Sequence, residues 1–219
     1  MKEDILEQLV EDYFQRKGYL TLHNVKFRPR DTRKDYDAKY DSVHSDIDIL
    51  GYNPHKRGPN RVVAVSCKSW QSGFRAEWFI EKIEDELKKL KEGKKIPRRA
   101  KWKFFRELTV DKWSEAFRGK IGEITGTNKF TYYLAVTRLK GDQEKATKAW
   151  QEHKRFKRAL KGNPIKIITV QEILNELWPN IETTMAESEI GRLLQVVKAS
   201  GWEANMRENF DKIKTRRKT

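Results

Sequence analysis

The chain reads as an α/β protein, a mixed β-sheet flanked by helices. Three observations predict this class. Stretches with a helical apolar stripe alternate with short runs rich in valine, isoleucine and tyrosine. Glycine or proline closes most of the helical stretches, as helix ends require. Its 219 residues, 37% hydrophobic, suffice to bury one core despite a charged fraction of 36%.

Taken in order, residues 2–17 carry Ile5, Leu6, Leu9, Val10, Tyr13 and Phe14 on one stripe, with Gly18 as the stop. "YLTLHNVKF" alternates weakly and reads as a strand. "RPRDTRKDYDAKYDSVH" is charged and has no period, which predicts a mobile loop. Strands at 45–51 and 61–67 follow, joined as a hairpin by the turn-rich "NPHKRGPN". "FRAEWFIEKIEDELKKLKEG" is a second helix ending at Gly93, and residues 94–128 form a basic, aromatic insertion, helical in part. "FTYYLAVTR" is a buried strand, and "GDQEKATKAWQEHKRFKRALKG" one long helix with a glycine C-cap. "PIKIITV" is a strand leading into the helix "QEILNELW", which Pro179 breaks. "ESEIGRLLQVVKAS" supplies a last helix before a basic tail. The expected organisation is a main domain over 1–180 and a C-terminal helical extension over 181–219.

Composition removes several classes of function. No apolar run approaches the ~20 residues that span a bilayer, and the acidic, amphipathic "MKEDILEQLVEDYF" does not read as a signal peptide. A single cysteine, Cys67, favours a reducing cytoplasm. Four scattered histidines and no paired cysteine argue against structural zinc. The net charge of +15 is segregated. Residues 91–120 hold 11 Lys/Arg against 4 Asp/Glu, residues 138–161 hold 9 against 3, and residues 205–219 hold 6 against 2. The rest of the chain is slightly acidic. Such segregation suits a polyanion, bound through counterion release at its phosphates, with Arg98, Arg99, Lys101, Lys103, Lys154, Arg155 and Arg158 as candidate contacts. Solvated lysine-rich helix faces are the alternative.

The stretch "SDIDILGYNPHKRGPNRVVAVSCKSW" holds the chemistry. Strand alternation sets Asp46 and Asp48 on one face, with Ile47 and Ile49 on the other. In the next strand it sets Ser66 and Lys68 on one face, with Val63, Val65 and Cys67 opposite. Two carboxylates on one strand repel unless a cation joins them. Oxygen ligands of this kind suit hard Mg²⁺ or Mn²⁺. A metal and a lysine beside a basic surface can cleave a phosphodiester: the metal activates water and the lysine steadies the transition state.

This pattern, a carboxylate on a hydrophobic strand, a turn, then x-x-Lys, resembles the PD-(D/E)xK nuclease superfamily. "DILGY" followed by "VVAVSCKSW" is similar to Mrr-type restriction enzymes and archaeal Holliday-junction resolvases. Glu7 stands where those enzymes place a first-helix glutamate, ahead of Gly18-Tyr19. The resemblance covers residues 5–70 by motif and implies a restriction-endonuclease-like fold, Mg²⁺ or Mn²⁺ as cofactor, and DNA as substrate, branched forms and RNA remaining open. It makes 1–180 the nuclease domain and a homodimer plausible for cutting both strands. It implies Asp48 as the central metal ligand, the Cys67 carbonyl as a second, Glu7 as a direct or outer-sphere one, and Lys68 as the group that orients or activates water. Ser66 departs from the family, which has Glu or Asp there; Asp46 or Glu77 would then supply the missing acid. Failing that, the chain is an inactive nuclease-fold module that binds DNA or RNA. A third reading is a subunit whose basic surface holds a protein partner.

Simpler readings stand beside these. Asp46 and Asp48 as edge-strand charges against aggregation, and a snorkelling Lys68, account for the strands without a site. Cys67 reads as a small core residue rather than a nucleophile. Helical spacing makes Trp102, Phe105, Trp113 and Phe117 core residues more readily than base-stacking ones.

Overall fold

The computed structural model describes residues 4–181 and 188–201. The N-terminal helix α1 (Ile5–Arg16) is capped by Asp4, whose carboxylate accepts the Leu6 N–H at 2.8 Å. Strand β1 (Leu20–Phe27) is followed by a short helix α2 (Ala38–Asp41), then β2 (Ser45–Tyr52) and β3 (Val62–Lys68). Helix α3 (Ala76–Lys91) leads into the insertion, which contains a 3₁₀ turn over Lys101–Phe105, helix α4 (Arg106–Thr109) and helix α5 (Asp111–Thr125). Strand β4 (Thr131–Val136), helices α6 (Gln143–Glu152) and α7 (Lys154–Ala159), strand β5 (Ile165–Thr169), and helices α8 (Val170–Leu177) and α9 (Glu189–Ala199) complete the described chain. No described helix is long and apolar enough to cross a membrane.

The five strands form one sheet in sequence order. β2 runs antiparallel to both β1 and β3, and β4 and β5 run parallel to β3. Helices cover both faces, giving the expected mixed α/β layers. On one face, α3, α5 and α6 pack with Val62, Ala64, Tyr132, Leu134 and Ile167. On the other, Leu6, Leu9, Val10 and Phe14 of α1 and Ile173 and Leu177 of α8 pack on Ile49, Val63, Val65 and Ala135. Ile190 and Leu194 of α9 join that second cluster. The basic tail at 205–219 lies outside the described residues.

Several expectations are corrected. The expected long helix after β4 is two helices, because His153 takes an extended backbone, φ −62° and ψ 118°. Strand β2 lies between β1 and β3, yet its ladder with β3 covers only Ile49 to Tyr52, so Asp46 and Asp48 stand on a stretch paired with β1 alone. One expectation holds: Phe105, Trp113 and Phe117 of the insertion are core residues, buried with Leu108 and Ile121 in the first cluster and closed to bases. The segment expected to be a mobile loop is anchored. Asp41, 1% exposed, accepts the Trp113 indole N–H at 3.1 Å and the Asp37 N–H at 2.8 Å, and pairs with the Lys112 ammonium.

Burial opposes ionisation of Asp41, but its bonds to Lys112 and the Asp37 N–H outweigh burial and hold the carboxyl below its usual range. A depressed folded value makes this contribution present above about pH 4 and lost as pH falls through the folded value. Removing one partner strands the other, so Asp41→Ala should cost about 3 kcal/mol. Urea titrations at pH 7 and pH 3 should show a large difference between variant and wild type at the first and a smaller one at the second.

Candidate functional site

The site forms where β2 leaves β3. Their ladder runs from Tyr52 opposite Val62 to Ile49 opposite Val65 and ends there. Continued, the register would set Asp48 opposite Ser66 and Ile47 opposite Cys67. Instead the Cys67 N–H donates to the Asp48 carboxylate, Oδ2, at 2.5 Å. A side chain thus takes the bond a backbone carbonyl would have taken.

Regular alternation fails at this point. Ile47 packs with Val25, Phe27 and Leu50 on the first face, whereas Ile49 packs with the α1 face. On β1 the break falls at Asn24, which lies across from Asp48 in the register and has φ +48°. Asparagine tolerates that left-handed conformation better than most side chains. The expected common face for Ile47 and Ile49 is therefore corrected by a kink shared between two strands. Asp46 lies beyond the kink and pairs with Lys26 of β1 at 3.1 Å.

Lys68 extends from the end of β3 into the opening. Its ammonium donates to Ser66 Oγ at 2.8 Å and to the Cys67 carbonyl at 3.1 Å, and lies 3.9 Å from Asp48 Oδ2. It also sits 6.0 Å from the centre of the buried Phe105 ring. Three residues that sequence reasoning missed complete the cluster. Glu107, from α4 of the insertion, is buried, and its Oε1 accepts the Tyr132 hydroxyl at 2.7 Å. Ser66 lies near enough to the Tyr132 hydroxyl to bear on its titration. Asp4 caps α1 and accepts the Ser69 hydroxyl at 2.7 Å. Asp4 with Glu7 at the third helical position is a D-x-x-E capping pattern visible in the sequence. Glu107 has no sequence signal beyond being an acid between Phe105 and Leu108.

Burial pushes the Asp48 carboxyl up, with the Lys68 ammonium and the Cys67 N–H pulling against it. Burial likewise raises Glu107, opposed by Lys68 and the Tyr132 hydroxyl. The Cys67 thiol is driven well up by burial, then by the charges of Asp48 and Glu7, so it holds its proton and is no nucleophile. Glu7, half-buried on α1, approaches the site from the opposite side of the sheet to Glu107. Glu77 is exposed on the first turn of α3.

The donors fit a hard cation in kind. Asp48 and the Cys67 carbonyl are oxygen ligands converging on one ammonium, and Mg²⁺ commonly takes one or two carboxylates and fills its shell with water and phosphate oxygens. Among the described residues no group of three or more His, Cys, Asp or Glu is arranged to hold a metal by itself.

Of the candidate phosphate contacts, Arg98, Arg99 and Lys154 are exposed, while Lys101 and Lys103 are half-buried. Arg155 is held by Glu84 through two bonds of 2.8 and 3.0 Å, and Arg158 pairs with Asp111 at 3.2 Å. Those two arginines brace α7 against α3 and α5. Comparison of the chain with protein-family models, curated proteins and solved structures gave no match.

A carboxyl whose folded value is raised stabilises the fold below its unfolded value, and that stabilisation is lost as pH rises through the folded value. Glu107→Gln keeps an oxygen to accept the Tyr132 hydroxyl and removes the charge. The variant should melt higher than wild type at pH 7 in EDTA, with the difference shrinking toward pH 4. Thermal denaturation across that range is the measurement.

Proposed function

We propose that this chain is a metal-dependent endonuclease of restriction-endonuclease-like fold that hydrolyses phosphodiester bonds in DNA. The observation that carries the reading is the meeting of Asp48, the Cys67 carbonyl and Lys68 where β2 parts from β3. The element order supports it: a helix, three antiparallel strands, a helix and a strand parallel to the third. So does the net charge of +15, with two of its basic segments, 91–120 and 138–161, outside the strands that bear the carboxylates.

In this reading Asp48 and the Cys67 carbonyl would hold Mg²⁺ or Mn²⁺, with Glu7 behind them. When bound, the metal supplies Lewis-acid neutralisation of phosphate charge and a water of lowered pKa. Lys68 orients the attacking water and meets the charge that develops on the phosphorus oxygens; its ammonium is already aimed by Ser66 and the Cys67 carbonyl. Glu107 takes over from the acid that Ser66 replaces, brought from α4 to within reach of the Lys68 charge and held there by the Tyr132 hydroxyl. Asp46 is drawn off by Lys26 and Glu77 is exposed, so neither fills that role as well as Glu107. A buried carboxyl at Glu107 and a largely covered one at Asp48, both with raised pKa under the Lys68 charge, leave room for further positive charge.

One observation favours a second reading, the inactive DNA- or RNA-binding module. The Ser66 hydroxyl carries no charge and already accepts the Lys68 ammonium.

The test is incubation with supercoiled, linear, single-stranded and branched DNA in Mg²⁺, Mn²⁺ or EDTA. Asp48→Ala and Lys68→Ala should each lower cleavage at least about a hundredfold while affinity stays within a few fold, because these groups act on the transition state. Glu107→Ala should be as damaging, and Ser66→Glu in the Glu107→Ala background should restore part of the activity. Wild-type protein that binds DNA yet cuts none of these substrates in either metal would establish the second reading instead.

A further inference from the structure

Next to Lys68 lies a cleft of about 430 Å³ lined by Trp70, Trp78, Phe79 and Phe104 and by Arg75, Arg99, Lys101 and Lys140. Three separate segments build it: α3 with the loop before it, the start of the insertion, and the loop after β4. Two other clefts mix their cations with acids, Glu115 and Glu123 in one and Glu84 in the other. Among the described residues, no carboxylate lines this one.

Its aromatic residues divide by role. Trp70 lies flat on Phe79, ring centres 4.6 Å apart and planes at 3°, and meets Phe105 edge-on at 6.2 Å. Trp70 and Phe79 are therefore the floor. Trp78 and Phe104 are each 38% exposed, a large apolar area left in water at the mouth. The Lys101 ammonium stands 6.0 Å from the Trp78 ring and 5.6 Å from the Phe104 ring. One cation thus stands over two partly exposed aromatic rings.

We infer that this cleft binds an unpaired stretch of nucleic acid, with bases stacked on Trp78 and Phe104 and phosphates met by Arg75, Arg99, Lys101 and Lys140. Exposed aromatic faces interleaved with cations are what a single strand needs, since every base has a face to stack and every linkage a charge. A duplex offers its phosphates but keeps base faces inside the stack, so it gains nothing from Trp78 or Phe104. The position gives the cleft its use. Trp70 is two residues beyond Lys68, its N–H bonded to the Lys68 carbonyl at 2.9 Å, and its ring is 5.8 Å from that of Phe104. A strand lying here leads into the Asp48–Lys68 opening. The inference deepens the proposed nuclease function and rests on it for that last step alone: the substrate would carry a single-stranded segment, an overhang, flap or gap.

The experiment measures binding of labelled oligo(dT), oligo(U) and a duplex of equal length by anisotropy, in EDTA and with Lys68→Met protein as well as wild type. Tighter binding of either single strand than of the duplex is expected. Trp78→Ala and Phe104→Ala should each weaken single-strand binding roughly tenfold and leave duplex binding unchanged. Each ring is 38% exposed and packs edge-on against Phe79 or Trp70, so the variants should melt somewhat lower yet stay folded at the assay temperature, and Trp78→Phe should recover most of the affinity. Arg99→Gln and Lys140→Gln should each reduce the slope of log affinity against log salt by about 0.7. Duplex binding as tight as single-strand binding, or affinity indifferent to Trp78 and Phe104, overturns the inference. Because binding is read without metal, that failure leaves the cleavage proposal standing. Absence of cleavage with the strand preference intact removes the cutting and keeps the cleft.

Discussion

The bond from the Cys67 N–H to the Asp48 carboxylate is the constraint from which the rest of the site follows. Two antiparallel strands ordinarily satisfy each other's backbone groups to their ends, because an unpaired buried N–H costs about 1–3 kcal/mol. Here β3 continues to Lys68 alongside β4, while β2 turns away after Ile49. The orphaned N–H is met by a charged acceptor, which is stronger than a neutral carbonyl. That bond fixes the carboxylate in the gap it opens, and the same gap exposes the Cys67 carbonyl and admits Lys68. A sheet whose strands stayed paired would have no opening and no reason to hold a carboxylate there.

The opening is closed on one side by the insertion, which behaves as core rather than appendage. Glu86 of α3 accepts the N–H groups of Lys101 and Trp102 at 2.5 and 3.2 Å and so fixes where the 3₁₀ turn begins. Phe105 and Leu108 then pack into the main cluster, and Glu107, between them, has no freedom to leave the site. The insertion therefore sets two things at once: an acid beside Lys68 and, through Arg99, Lys101 and Phe104, one wall of the cationic cleft. In the proposed nuclease, chemistry and substrate path are coupled by a single rigid segment.

Much of this was legible in the sequence, for identifiable reasons. The strands and α1 were readable because burial on a sheet or helix face imposes a period, and Asp48 and Lys68 stood out because they interrupt apolar runs. The kink at Asn24 and Asp48 was not readable: it depends on two strands breaking alternation at the same place, and an asparagine within a strand gives no sign of a left-handed backbone. The break of one long helix into α6 and α7 at His153 was hidden because its apolar residues keep helical spacing across it. Glu107 and Tyr132 were missed because they are far apart in the chain and meet only when the insertion folds over β4. Asp41 looked like one more charge in a charged loop; only the approach of Lys112 and Trp113 from α5 makes it a buried anchor.

The distribution of charge then has a single physical logic. Buried carboxyls at Asp48 and Glu107 are held with raised pKa values, so the fold gives up some stability to keep them where they are. Around them lies an unusually large aromatic core, with Phe74, Phe105, Phe130, Tyr132, Trp150 and Phe156 among the largest fully buried side chains. That apolar packing offsets the unfavourable carboxyls and keeps the local dielectric low, which strengthens every charge interaction inside the opening. Cations are kept outside, on the insertion and after β4, where water reaches them. An acidic, desolvated centre ringed by solvated cations repels a bare phosphate at the core yet attracts it at the rim. In the proposed function a metal ion at Asp48 and the Cys67 carbonyl resolves that conflict, which makes substrate engagement at the centre depend on the metal, whereas binding along the rim does not.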